Sequence, residues 1–182
     1  MQLQIKQLNV NAVVPTRNNA TDSGLDLYAC LDKDVVIYPL IDECHLTDEA
    51  IYNIQFNTET VQWQHYVTDI ETNIPSALIP TGIAIKLPHS YVLDQTWEAT
   101  IRSRSGLAAK HGISCHLGTI DNEYIGELKV LMYNFSNKPF TVTHGMKIAQ
   151  LVIQPVFLPT IQLVDELANT SRGVNGFGSS GI

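Results

Sequence analysis

The sequence is poor in cysteine, in positive charge and in long apolar runs, and each shortage removes a class of protein. Its three cysteines, Cys30, Cys44 and Cys115, are odd in number, far apart and never spaced C-x-x-C. That argues against a disulfide framework and a thiolate metal site, and leaves buried thiols as the expectation. Six histidines are scattered along the chain; His111 and His116 lie five apart, without zinc-ligand spacing. Eleven Lys and Arg face 18 Asp and Glu, for a formal net charge of −7. This balance repels a nucleic-acid backbone, so no nucleic-acid partner is expected, whereas a small anionic ligand needs only a few local cations. No run approaches the roughly 18 apolar residues of a membrane helix. Residues 1–6 lack the basic-then-apolar pattern of a signal peptide. The expectation is a cytoplasmic protein with no membrane partner, in the host cytoplasm if the source is a virus.

A sustained 3.6-residue period is also missing, as is any repeat of fixed length. Short strand-like pieces recur instead, at residues 3–8, 35–38, 83–87, 97–101, 128–133 and 148–156, with most of the eight prolines falling between them. At 182 residues the chain is long enough to bury one core without staples. The pattern predicts a single all-β domain, a sandwich or jelly roll.

Positive charge disappears altogether between Lys33 and Lys86, where Asp34, Asp42, Glu43, Asp48, Glu49, Glu59, Asp69 and Glu71 all fall. Within this stretch Tyr52, Ile54 and Phe56 alternate with polar residues, as do Val61, Trp63 and Val67. It reads as an acidic β-hairpin inserted at about residues 40–77 and anchored by Trp63. The ribbon either covers a sheet edge or docks a basic protein partner.

Five segments bear chemistry. G-T-I-D-N-E-Y-I-G at 118–126 reads as a β-hairpin tip: Asp121 and Asn122 supply turn chemistry and Gly126 a backbone freedom other residues resist. Leu128, Val130 and Met132 follow as one face of a strand. Asp121 and Tyr124 on such a ribbon either address one small ligand, as base and wall, or merely cap and pack. The segment from Arg102 to Gly112 interleaves Arg102 and Arg104 with Ser103 and Ser105 ahead of Gly106. It is either an anion cradle or an exposed charged turn. The C-terminal R-G-V-N-G-F-G-S-S-G at 172–181 carries Arg172, Phe177, Ser179 and Ser180 among glycines. It suits a lid whose Arg meets phosphate and whose ring stacks on a base, and equally a flexible tail. No Lys-Ser or Lys-Thr follows its glycines, so it is not a P-loop. Asp26 and Tyr28 share a strand face within G-L-D-L-Y-A at 24–29, and Gln150 stands among apolar residues in G-M-K-I-A-Q-L at 145–151.

The order of these pieces is itself informative. G-L-D-L-Y-A, R-S-G-L-A, G-T-I-D-N-E-Y-I-G, G-M-K-I-A-Q-L and the Gly/Ser-rich tail resemble the five motifs of the trimeric dUTPase family, deoxyuridine triphosphate nucleotidohydrolases. The likeness spans residues 22–181 and lapses at about 40–77. It implies a jelly-roll or distorted β-barrel protomer, a homotrimer with active sites at subunit boundaries, and a body of residues 1–169 closed by an arm of residues 170–182. The implied reaction is Mg²⁺-dependent cleavage of dUTP to dUMP and pyrophosphate, which keeps uracil out of DNA and supplies dUMP for dTTP synthesis. By the same likeness Asp121 activates the attacking water and Tyr124 packs on the deoxyribose. Uracil pairs with backbone groups around Thr119, Ile120 and Lys129. Arg104, Ser105, Gly106 and Gln150 hold phosphates, Asp26 reaches Mg²⁺ through water, and Arg172, Phe177, Gly178, Ser179 and Ser180 form the lid.

This chain departs from the family pattern at Ser103, which replaces a usual Pro, at Cys115 and His116 ahead of the tip, at Val174 and Asn175, and in the insertion. Two other readings compete: a dCTP deaminase of the same fold, and a dUTPase-like scaffold acting as a nucleotide-switched binding module.

Overall fold

The computed structural model describes residues 2–39, 75–89 and 92–174. Most of the proposed insertion, including Trp63, therefore lies outside the described residues, as do Phe177, Gly178, Ser179 and Ser180. In chain order the elements are β1 (Gln4–Gln7), β2 (Gly24–Tyr28), β3 (Val35–Ile37), β4 (Ser76–Lys86), β5 (Gln95–Arg102), α1 (Ser105–His111), β6 (Ile113–Cys115), β7 (Gly118–Ile120), β8 (Glu127–Asn134), β9 (Phe140–Val142) and β10 (Lys147–Phe157). Since β4 begins at Ser76, the last two residues assigned to the insertion belong to the body.

Two four-stranded sheets, β1-β4-β8-β6 and β2-β10-β5-β7, and a β3-β9 ribbon make up the described fold, with every pairing antiparallel. The two-residue period decides which face of each strand turns inward. Leu128, Val130 and Met132 of β8 are fully buried while Lys129 between them is exposed. Ile79, Ile83 and Ile85 of β4, Ala99 and Ile101 of β5, and Leu151 of β10 join them in one apolar cluster contributed by both sheets. The expected all-β class holds, and the six strand pieces read from sequence fall within or overlap observed strands.

Proline and glycine place two irregularities. Pro155 interrupts β10 past Val152, the last residue paired to β2, so it stands where that side of the strand has no ladder partner. The β4–β8 register shifts between Pro80 and Ala84, around Gly82 at φ +67°. Its N–H donates to Glu127 Oε1 at 3.0 Å, and its carbonyl accepts from Leu8 N at 2.8 Å. A Cβ there would come within 2.8 Å of both Cys30 Sγ and Ala12 Cβ. Glycine is required on two counts, a left-handed backbone and a close approach.

One element was not anticipated. The segment from Ser105 to His111 is helical, starting at Arg104 in extended backbone and ending at Gly112 in the left-handed conformation, φ 65°. Seven residues are too few for a 3.6-residue period to stand out, and none of them is buried. Its C-terminal signal, Lys110 and His111 followed by Gly112, is legible in retrospect.

Candidate active site

The segment expected as a hairpin tip is arranged differently. β7 pairs with β5, through Ala99↔Ile120, Thr100↔Thr119 and Ile101↔Gly118, whereas β8 pairs with β4 and β6 in the other sheet. Residues 121–126 are thus a crossover between sheets, not the turn of a ladder. The physical reason is burial: the apolar face of β8 is committed to the core beside β4, while β7 takes its register on β5 in the other sheet. Two backbone edges are left without ladder partners among the described residues. One is the outer edge of β7, the terminal strand of its sheet. The other is the edge of β8 before the β6 pairings, which cover only Met132, Tyr133 and Asn134, with His116 N reaching Leu131 O. Thr119, Ile120 and Lys129 lie on these two strands.

Within the crossover Asp121 is exposed, and its carbonyl accepts from Tyr124 N at 3.1 Å. The Tyr124 hydroxyl donates to Glu127 O at 2.9 Å, and its ring folds over Gly126. A Cβ at Gly126 would stand 2.7 Å from the ring carbon Cζ. Gly126 does not have positive φ among the described residues. The glycine makes room for the Tyr124 ring and does not supply the unusual backbone expected of it. Asp121 and Asn122 line a concavity of about 430 Å³ with His89, Thr96, Glu123 and Leu158.

A second group forms at the other end of β5. Asp26, only 5% exposed, accepts from Lys147 Nζ at 2.7 Å and lies 3.4 Å from Arg104 Nε. A carboxylate at such depth is costly without partners, and here two cations answer it. Arg104 also donates to Lys147 O at 3.1 Å. The hydrogen bond to Asp26 raises the Lys147 ammonium above its usual range, with burial opposing it. The ammonium stands 5.8 Å from the Tyr28 ring centre, and Tyr28 Oη shares a 2.8 Å hydrogen bond with Thr16 Oγ1. Gln150 lies in register between Asp26 on β2 and Arg102 on β5. Gly24 permits its close packing: a Cβ there would meet Gln150 Cβ at 3.1 Å. Ser105 and Gly106 begin α1 on the exposed side, directly after Arg104.

The structure therefore gathers Asp26, Arg104 and Gln150 in one place and Asp121 and Tyr124 in another. Asp121 follows the Ala99 rung, toward the start of β5, while Arg104 leaves from its end. The rungs at Ala99 and Arg102 alone are about 10 Å apart, at roughly 3.3 Å per residue. Arg172 is exposed, next to a turn in which Gly173 N reaches Thr170 O at 3.1 Å. Lys147 escaped the sequence reading of the site, which gives Asn122 only turn chemistry and Ser103 a hydroxyl of the anion cradle. Lys147 lies inside a motif already singled out, but its partnership with Asp26 depends on strand register. Ser103 Oγ accepts from Cys115 N at 2.9 Å and shares a 2.7 Å bond with Ser114 Oγ, tying the Arg104 segment to β6. Burial pushes the Cys115 thiol up, opposed by its hydrogen bond to Ser103. Cys30 is pushed the same way by burial and then by Glu127 and Asp32. Both are free buried thiols, as expected; Cys44 lies outside the described residues.

No cluster of three His, Cys, Asp or Glu side chains suited to a metal occurs among the described residues. Asp26 is matched to two cations, an arrangement that suits an incoming anion. A divalent ion fits here only if its remaining ligands come with that anion.

A family profile described as dUTPase matches residues 65–181. The chain is 38% identical over 181 residues to the deoxyuridine 5'-triphosphate nucleotidohydrolase of Orientia tsutsugamushi strain Boryong, covering 98% of this chain and 95% of that one. It is 38% identical over 187 residues to the protein of the same name in Crocosphaera subtropica, covering both chains completely. Among solved structures, Staphylococcus bacteriophage 80alpha dUTPase with dUPNHPP superposes with a TM-score of 0.71 at 25% identity, over 100% of this chain and 99% of that one. Five motifs in order, a profile match over more than half of the chain and full-length similarity to these nucleotidohydrolases agree: the chain belongs to the dUTPase family.

Proposed function

We propose that the protein hydrolyses dUTP to dUMP and pyrophosphate, with Asp121 as general base and Mg²⁺ as cofactor. The observation that carries this reading is the splayed β7–β8 junction, where Asp121 and Tyr124 stand between two strand edges that have no ladder partner among the described residues. Unpaired N–H and C=O groups are what a uracil edge would need, and those around Thr119, Ile120 and Lys129 would read it. A slot bounded by main chain has no room to adapt to a 5-methyl group. Tyr124, its ring fixed over Gly126, would pack on the deoxyribose and exclude a 2′-hydroxyl.

Asp121 would orient a water toward the α-phosphorus and take its proton as the new P–O bond forms. The bond to the bridging oxygen breaks, and pyrophosphate leaves. General-base assistance of this kind is worth about 10²–10⁴ in rate. Arg104, Ser105, Gly106 and Gln150 would hold the phosphate oxygens, with Arg172 on the γ-phosphate. Mg²⁺ bound to the triphosphate would draw off its negative charge, Asp26 holding one of the ion's waters. Phe177 would stack on uracil, and Gly178, Ser179 and Ser180 would complete the closure.

The two groups lie toward opposite ends of β5, so one chain does not assemble this site alone. That supports a homotrimer with sites at subunit boundaries, in which the Asp121 end of one protomer faces the Arg104 end of the next. Residues 158–170 support it too: they form no strand, and Ile161, Leu163 and Leu167 are 98%, 97% and 87% exposed. Apolar side chains so placed call for a neighbouring chain. On this reading residues 1–169 form the body and 170–182 the arm, and the enzyme works in the cytoplasm; none of the described helices is long and apolar enough to cross a membrane.

The test is product analysis with Mg²⁺ and dUTP, UTP, dTTP or dCTP in parallel. Monophosphate and pyrophosphate are expected from dUTP only. Ammonia from dCTP would instead make the protein a deaminase, and silence with all four would leave a nucleotide-binding module.

A further inference from the structure

Asn122, next to Asp121 and half-buried, does more than turn the chain. Its side-chain Nδ2 donates to Pro88 O at 3.1 Å and to Trp97 O at 3.3 Å. Its own backbone carbonyl accepts from Lys86 Nζ at 3.3 Å. Lys86 closes β4 in the first sheet, Pro88 follows it, and Trp97 lies in β5 of the second sheet. One residue thus ties the crossover to both sheets, directly beside the carboxylate. At the far end of the crossover Tyr124 Oη makes the corresponding bond to Glu127 O. The Lys86–Glu123 ion pair, 3.6 Å and largely exposed, adds little fixation.

The chemistry of the clamp is specific. Two carbonyl oxygens converge on one group, so that group must offer two hydrogens and no negative charge. A primary amide does this; a carboxylate of the same shape cannot, and a hydroxyl has one hydrogen to give. The adjacent residue gains a fixed position with no hydrogen bond to its carboxylate oxygens among the described residues; only its backbone carbonyl is engaged, by Tyr124 N. We propose that Asn122 is the positioning residue for Asp121, fixing where its carboxylate stands relative to the slot between β7 and β8. This inference rests on the reading of Asp121 as general base. Displacement of a reacting group by about 1 Å can cost about 10²-fold in rate.

Steady-state hydrolysis of dUTP with Mg²⁺ tests it on the full chain, comparing Asn122→Ala, Asn122→Ser, Asn122→Asp, Asp121→Asn and Val142→Ala. Val142, fully buried on β9 and away from the crossover, serves as a control for lost stability. Asn122→Ala should lose about tenfold or more in kcat with KM within about threefold of the parent. Asn122→Asp should be no better despite its shape, and Asn122→Ser, with one donor, should fall between Ala and the parent. Val142→Ala should melt earlier with its kcat intact. A parental kcat in Asn122→Ala overturns the proposal. So does a loss in Val142→Ala that matches it at equal melting temperature. If Ala at 122 yields no folded protein, the order of Ser above Asp decides in the same way. Persistent turnover in Asp121→Asn would instead remove the base itself, whatever position 122 does, so the two failures are distinguishable.

Discussion

The two ends of β5 hold their carboxylates in opposite ways. Asp26 is buried and answered by charge, with Lys147 at 2.7 Å and Arg104 at 3.4 Å. Asp121 is exposed and held through its neighbour, an uncharged amide bonded to two carbonyl oxygens. The difference teaches how placement and reactivity can be separated. A carboxylate locked by direct ion pairs has its lone pairs engaged and acts as a counter-charge. One held through the backbone keeps its oxygens available for a water. The same contrast applies to the cations: Arg104 and Lys147 are already paired and must share themselves with any phosphate that arrives.

The sharpest way to break this comparison is to exchange the chemistry at the exposed end. Asp121→Asn should lower kcat by about 10²–10⁴ or more while dUTP still binds. Initial rates and calorimetric titration with dUTP measure the two effects separately, and substantial residual turnover would take the base role away from Asp121. Next in size is removal of residues 172–182, the segment proposed to close over both ends. The expected loss is about 10²-fold in kcat/KM with the oligomer unchanged by light scattering; an undiminished rate would leave the tail without a role in closure. Smallest is the effect of Lys147→Met, which leaves Asp26 with Arg104 alone and should lower the melting temperature at neutral pH. The sign with pH is fixed by Lys147, whose folded pKa lies above its ordinary value of 10.5 because Asp26 binds the ammonium form. The stabilisation is therefore complete below the unfolded lysine range and is lost as pH rises through the higher folded value. The gap in melting temperature between parent and variant should be constant from pH 6 to 9 and close only at strongly alkaline pH, above the ordinary lysine range. A gap that persists there would show that packing against Tyr28, and not the ion pair, carries the effect.

Much of this was legible in the sequence because local pattern and global fold agree. Leu128, Val130 and Met132 announced a strand with one buried face, and they form it. The five motifs singled out Asp26, Arg104, Asp121 and Gln150; the fold gathers Asp26, Arg104 and Gln150 and sets Asp121 apart from them. What escaped was information that resides in register and in sheet membership. Nothing local says that β7 and β8, six residues apart, join different sheets; Asp121-Asn122 is good turn chemistry either way. Lys147 and Asp26 meet only because β10 lies beside β2. Gly126 was identified as special for the wrong reason, since close approach of a ring and left-handed backbone both select glycine and sequence cannot separate them. The helix at Ser105–His111 was missed because seven residues with no buried side chain leave no periodic trace.

The open edges of β7 and β8 carry a liability as well as an opportunity. A strand edge with unpaired N–H and C=O groups can be extended by another chain's strand, the first step of edge-to-edge aggregation. β7 limits the danger by being three residues long, and exposed Glu123 and Lys129 place charge of both signs beside the gap. A ligand seated there would cover what remains. At the proposed site, binding of nucleotide and protection of the sheet edge from another strand are then one event.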